Sequence, residues 1–149
     1  KGEDVWALLL DENGFIAEGT GSNFFMVKNG KIYTPRCKDI LRGITMETIV
    51  HEIAPSLDIE VVEKDIEPFD VYESDECFLT STPFCILPCV TLNKLKIGNG
   101  KPGMITNSLI KKWGDNVNVD IIGQIKKWDK KILSQNSTTP YKFSVNKNN

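Results

Sequence analysis

Apolar and polar positions in the first third of the chain come in short runs broken by turn-forming residues. Val5–Leu10 is apolar enough for a strand, and Asp11-Glu12-Asn13-Gly14 follows it, with Asn13-Gly14 offering the positive φ values of a tight hairpin. Phe15–Glu18 starts a return strand. Gly19-Thr20-Gly21 interrupts it, and Asn23–Lys28 resumes extended structure. Asn29-Gly30 is a second hairpin signal before the short strand Lys31–Thr34. The expectation is a β meander.

The period then changes. Pro35–Arg42 reads as a loop, after which Met46, Ile49, Val50 and Ile53 recur at helical spacing. That helix opens at Gly43-Ile44-Thr45 and stops at Pro55. Further strands are expected over Asp58–Ile66, Glu76–Thr80 and Ile86–Leu92, with one helical turn at Pro68–Tyr72. A glycine-bearing loop over residues 98–103 precedes two helices. Ile105, Leu109 and Trp113 mark the apolar face of the first. Ile121, Ile125, Trp128 and Ile132 mark that of the second, with Lys126, Lys127, Lys130 and Lys131 on a solvated side. Ser134–Asn149 is polar, and a loosely ordered tail is expected. The organisation is therefore one domain over residues 1–134 and a tail over 135–149.

Composition narrows the classes. The 149 residues are 40 % hydrophobic and 26 % charged, enough for a packed core. A net charge of −2 gives no basic surface for nucleic acid. No apolar run approaches the roughly 20 residues a membrane span needs. With no secretory signal visible, a cytoplasmic location and reduced thiols are expected. Cys37, Cys77, Cys85 and Cys89 form no CxxC pair, so no metal site is expected, and Cys85 with Cys89 reads as two adjacent buried thiols. Lys1 leads almost at once into an apolar run, so the chain is expected to be a piece of a longer protein.

Three features carry candidate chemistry. Glu18-Gly19-Thr20-Gly21-Ser22-Asn23 places a carboxylate at a strand end, beside glycines that let a backbone approach a planar ligand. Its carboxylate could pair with a protonated ring nitrogen; the alternative is a bulge with a solvated Glu. Leu41-Arg42-Gly43-Ile44-Thr45 precedes the first helix, whose free N–H groups and dipole make a phosphate seat. The alternative there is plain N-capping by Thr45. Thr80-Ser81-Thr82-Pro83 ends an apolar strand with clustered hydroxyls, which could bind phosphate oxygens or simply close a turn. A carboxylate at one end and anion donors at the other are what a pyridinium phosphate requires.

The segments ALLLDENGFIAEGTGSNFFMVKNGKIYTP, ILRGIT, DECFLTSTPFCILP and IGNGKPG resemble, in order and residue type, the class IV aminotransferases of PLP fold type IV. That family includes branched-chain aminotransferases, D-amino-acid aminotransferases and aminodeoxychorismate lyase. The resemblance runs from about Asp4 to about Trp128. It implies an α/β (α+β) fold with a mixed, largely antiparallel sheet or pseudo-barrel and flanking helices, as in the C-terminal domain of these enzymes.

The resemblance also implies roles. Glu18 is similar to the carboxylate that binds the pyridine nitrogen of pyridoxal 5'-phosphate. Gly43, Ile44 and Thr45 resemble the phosphate seat, with Ile44 and Thr45 as backbone donors. Ser81 and Thr82 resemble a second phosphate-binding pair, and Leu41 the residue packed on the ring. Ser22 and Asn23 match polar positions beside the cofactor, while Phe84 and Cys85 could line the side-chain pocket or belong to the core. The implied reaction transfers an amino group between an amino acid and a 2-oxo acid in a homodimer, without nucleic acid, membrane or metal.

The family's Schiff-base lysine lies upstream of the glutamate. Lys1 is the sole lysine before Glu18 and stands too close to match, so no catalytic residue is expected within the chain, which would be inert alone. The family's phosphate-binding arginine is not matched by Arg42, and His51 reads as a surface residue of the helix. Two alternatives stay open. One is a lyase of the aminodeoxychorismate type. The other is a truncated, non-catalytic domain that binds an anion or a partner.

Overall fold

The computed structural model describes residues 5–38 and 40–127. Its centre is a pair of strands whose near-continuous apolar sequence allows burial on both faces. β3 (Ser22–Lys28) is buried from Ser22 through Val27, and β6 (Glu76–Ser81) from Cys77 through Thr80. They pair antiparallel, Asn23 with Thr80 through Val27 with Glu76.

Seven strands form the main sheet: β1 (Leu8–Leu10), β2 (Ile16–Gly19), β3, β4 (Lys31–Thr34), β5 (Val61–Glu63), β6 and β7 (Cys85–Cys89). Along the edge of β3 opposite β6, Ser22 and Asn23 pair with β2, whereas Met26, Val27 and Lys28 pair with β4. The two hairpins therefore fork from one strand. All pairings are antiparallel except that of β4 with β5. This is the mixed, largely antiparallel sheet with flanking helices expected from the sequence.

Between β4 and β5 the chain forms α1 (Ile44–Thr48), which continues as a π-helical turn (Ile49–Ile53) and a 3-10 turn (Pro55–Leu57). Met46, Ile49 and Ile53 are buried, as their spacing predicts. Pro55 does not end the helical path. It starts the 3-10 turn, where its missing N–H costs nothing, and Asp58 at φ 56° ends the path instead. α2 (Pro68–Tyr72) precedes β6, and α3 (Met104–Val117) buries Leu109 and Ile110, with Ile105 and Trp113 at the core margin.

The sheet separates two cores. On the α1 side lie Phe25, Val27, Ile32, Met46, Ile49, Phe78 and Leu109. Phe25 and Phe78 stack there with centroids 4.9 Å apart, a pair contributing on the order of 1 kcal/mol beyond its burial. On the far side lie Ile16, Phe24, Met26, Ile66, Val71, Cys77 and Leu79.

Several local expectations are corrected. Only Leu8–Leu10 of the first apolar run is strand, and Leu9 and Leu10 are half-exposed, because β1 is an edge with one neighbour. The Asp11 turn has a positive φ at Gly14 alone. The Asp11 carboxylate shapes it by accepting from the Asn13 and Phe15 N–H groups. The Asn29-Gly30 turn does have both positive φ values. Thr20-Gly21 reverses the chain between β2 and β3 rather than merely interrupting one strand. The expected strand over 58–66 is reduced to Val61–Glu63. The one over 86–92 divides into β7 and β8 (Thr91–Leu92), which forms a hairpin with β9 (Leu95–Lys96). Asn93 and Lys94 turn that hairpin at φ 48° and 69°, a turn without glycine that sequence inspection passes over.

Cys85 and Cys89 are half-buried and four residues apart on β7; the register neighbour of Cys89 is Cys77. Residues 121–127 are helical, with Ile121 packed on the core, whereas Trp128, Ile132, Lys130, Lys131 and the tail lie outside the described residues. No described helix is long and apolar enough to cross a membrane.

Candidate functional site

The geometry of the site follows from which face each strand presents. Residues alternate along β3, so Asn23 shares the α1 side with Phe25 and Val27. Its cross-strand neighbours share that side: Glu18 on β2, Thr80 on β6 and, beyond Thr80, Ile86 on β7. One row of side chains thus crosses four strands.

Glu18 reaches this row because of a bulge. Leu8 pairs with Gly19 and Leu10 with Ile16, so three steps along β2 oppose two along β1. Simple alternation would put Ile16 and Glu18 on one face. The extra residue shifts the phase: Ile16 packs in the far core, and Glu18 faces α1.

The loop before α1 is fastened to the row at two points. The Leu41 N–H donates to Glu18 Oε2 at 3.1 Å, and Asn23 Nδ2 donates to the Leu41 carbonyl at 2.7 Å. Gly43 then passes so close that a Cβ would stand 2.5 Å from Asn23 Oδ1. The Glu18 carboxylate and the amino end of α1 are thereby held side by side. Gly43 is the N-cap, with no side-chain bond, and Thr45 is buried inside the first turn, so the capping alternative for Thr45 is not taken up. The first N–H groups of the helix remain available to an acceptor. The Arg42 guanidinium lies 3.7 Å from Glu47 and 4.0 Å from Glu63. His51 is exposed and pairs with Glu47.

At the mouth of this seat, Leu41 and Ile44 stand 78 % and 83 % exposed. Two large apolar side chains in the open beside a carboxylate and a helix terminus suit a flat, partly apolar, anionic ligand. Glu18 Oε1 has no partner among the described residues. Thr80, 1 % exposed, buries a hydroxyl that also lacks one. A carboxylate oxygen, helix N–H groups, a cradle that only glycine leaves open and an orphan hydroxyl together fit a pyridinium phosphate such as pyridoxal phosphate.

The remaining sequence candidates lie around this centre. Ser22 is buried on the far side of β3, its hydroxyl unpartnered and against the position a Gly19 Cβ would take. Ser81, one residue past Thr80, also faces away, and its hydroxyl donates to the Gly21 carbonyl at 3.0 Å. That bond ties the β6–β7 turn to the β2–β3 turn. Thr82 is exposed within the former turn. Phe84 packs on the far core, edge-on to Trp6 at 5.3 Å, whereas Cys85 packs on the α1 side. Cys85 holds φ at 61°, a strained value for a residue with a side chain. Burial, the main cause, pushes its thiol up to about 11.

Glu18, Asn23, Leu41, Gly43, Ile44 and Thr45 are therefore brought together, and Ser22, Ser81 and Phe84 are turned to the other side of the sheet. Of the hydroxyl cluster Thr80-Ser81-Thr82, Thr80 is the strand member that shares the α1 face with Asn23. Its position two residues after Phe78 on β6 was the available signal. No cluster of three His, Cys, Asp or Glu side chains able to hold a metal occurs among the described residues.

Comparison with known proteins identifies the family and the fold. Residues 1–92 match the family model described as amino-transferase class IV. The chain is 42 % identical over 104 residues to a probable branched-chain-amino-acid aminotransferase of Aquifex aeolicus, covering 69 % of this chain and 33 % of that protein. The branched-chain amino acid aminotransferase of Escherichia coli superposes with a TM-score of 0.70 at 34 % identity, over 73 % of this chain and 37 % of that one. The Thermobaculum terrenum enzyme in its PLP form gives 0.68 at 35 % identity, over 73 % and 36 %. The chain spans about a third of the length of these relatives. With the family model matching more than half of this chain and the fold shared, this chain belongs to the class IV aminotransferase family.

Proposed function

We propose that this chain is the cofactor-holding part of a pyridoxal-phosphate-dependent aminotransferase, moving an amino group between an amino acid and a 2-oxo acid. The observation that carries the reading is the double attachment of Leu41 to Glu18 and Asn23, which sets a carboxylate beside a helix N-terminus. When bound, pyridoxal phosphate supplies an electron sink for the substrate Cα. Glu18 holds a proton at the ring nitrogen. The N–H groups of Ile44 and Thr45 bind the phosphate at the positive end of α1, with Thr82 adding a hydroxyl from the β6–β7 turn. Leu41 shields one ring face from water. The Schiff-base lysine is assigned to residues beyond this chain, as the family resemblance implies.

A branched-chain amino acid is the favoured substrate class, because relatives sharing 42 % and 40 % of aligned residues carry that name. The test uses the full-length protein. It should show a bound-cofactor absorbance band and be trapped by borohydride with the cofactor on a lysine. It should also transfer the amino group of leucine, isoleucine or valine to a 2-oxo acid. Absence of both band and trapping would remove the enzyme reading, and pyruvate release from aminodeoxychorismate without amino transfer would replace it with the lyase.

A further inference from the structure

Thr80 presents a problem that the packing does not solve. Its hydroxyl is buried to 1 % exposure and has no hydrogen-bond partner, an arrangement that folded proteins rarely keep without a use. A valine would fill the same volume without that penalty. Its surroundings are specific. Thr80 is the cross-strand neighbour of Asn23, which holds the Leu41 carbonyl and touches the space over Gly43. α1 lies against β6, and Phe78, two residues earlier on the same face, packs with Met46 and Ile49 in one core. The orphan hydroxyl thus shares the α1 face of the sheet with Asn23 and Phe78, on the strand that α1 packs against.

We propose that Thr80 is the floor of the anion seat, its hydroxyl donating to the phosphate of the bound cofactor, directly or through one buried water. This deepens the functional reading above and rests on it. The seat then has a third element besides the start of α1 and the Thr82 turn, and the orphan hydroxyl gains its partner only in the loaded protein. Ser81, which faces the other way and already donates to Gly21, takes no part.

The experiment compares pyridoxamine 5'-phosphate with pyridoxamine as ligands of the full-length apoprotein by calorimetry, in the unsubstituted protein, Thr80→Val and Thr80→Ser. Thr80→Val should weaken binding of the phosphorylated ligand roughly 10- to 100-fold, as expected for a hydrogen bond to a charged group, and leave pyridoxamine unchanged. Thr80→Ser should retain the preference. The apoprotein of Thr80→Val should melt no lower than the unsubstituted one, since only an unpaired hydroxyl is lost. If Thr80→Val does not fold, Thr80→Ala carries the same comparison. Equal affinities of the hydroxyl-free variant and the unsubstituted protein for pyridoxamine 5'-phosphate overturn the proposal alone. Equal weakening of both ligands does the same, because it marks a structural role. An unsubstituted protein with no preference for the phosphorylated ligand overturns the functional reading and this inference together.

Discussion

Glu18 and Asn23 face each other across β2 and β3, and both side chains are bonded to the same residue, Leu41. One takes its N–H and the other donates to its carbonyl. A loop that would otherwise be free to wander is thereby fixed to the sheet at the point where α1 begins. The carboxylate, the helix terminus and the two exposed apolar side chains Leu41 and Ile44 become one surface.

Glu18→Gln separates the chemical from the architectural role of this side chain. Glutamine keeps an oxygen for the Leu41 N–H but cannot hold a proton at the ring nitrogen. Amino transfer by the full-length protein should fall by at least ~10²-fold, the scale of a lost positioned proton-holding group. The melting temperature should stay within a degree or two. Single-turnover kinetics and calorimetry read the two effects apart.

Gly43→Ala tests the close approach. Its φ of −72° suits alanine, so the cost is steric: the new Cβ meets Asn23 Oδ1 and must push the loop off Asn23. Overpacking of this kind costs about 1–3 kcal/mol. Binding of pyridoxamine 5'-phosphate should weaken about tenfold or more. A titration in which alanine binds as well as glycine would show that the loop yields freely.

Glu76 is a structural anchor outside the site. Its carboxylate accepts from the Ile105 and Thr106 N–H groups at 2.9 and 2.8 Å and from the Thr106 hydroxyl at 2.6 Å, closing the amino end of α3. The Gly103 backbone runs so close that a side chain there would collide with this carboxyl group. Glu76→Ala should lower stability by about 2–3 kcal/mol, because it leaves charge-assisted bonds unmade and the buried Thr106 hydroxyl alone. Glu76→Gln should lose less. Urea unfolding followed by circular dichroism measures both.

The thiols should be unreactive. Burial is the main cause that pushes Cys77 up to about 12 and Cys89 up to about 11. A raised value leaves the neutral thiol dominant at pH 8, and the thiolate is the nucleophile, so alkylation should proceed orders of magnitude more slowly than for a free cysteine. Pulsed iodoacetamide labelling with mass spectrometry should find Cys77 and Cys89 unmodified until urea unfolds the chain. Rapid labelling of Cys77 in the native protein would contradict the packing.

Much of the fold was legible because local chemistry and tertiary structure agree. The helical spacing of Met46, Ile49 and Ile53 survives as a buried face, Pro68–Tyr72 is helical over the expected residues, and Asn29-Gly30 turns as its residue types demand. The failures have physical causes. Val5–Leu10 is apolar, but only its second half gains a partner strand, so β-propensity alone could not make the whole run regular. Pro55 stops an α-helix in isolation, yet as the first residue of a 3-10 turn it loses no hydrogen bond.

The inventory of the site is written in the residue types alone: a glutamate among glycines, a glycine before a helix and hydroxyls at a strand end, in an order shared with one family. Which of them face each other depends on strand phase and register. A single extra residue in β2 turns Glu18 toward α1 and Ile16 away, and strand alternation sends Thr80 inward and Ser81 outward. Side chains one residue apart on a strand differ in direction by half a turn, and spacing does not reveal where a bulge resets the phase. The register between β3 and β6 pairs residues 49 to 57 positions apart, so it is fixed by tertiary packing, where Phe25 stacks on Phe78 and closes the core beneath the site.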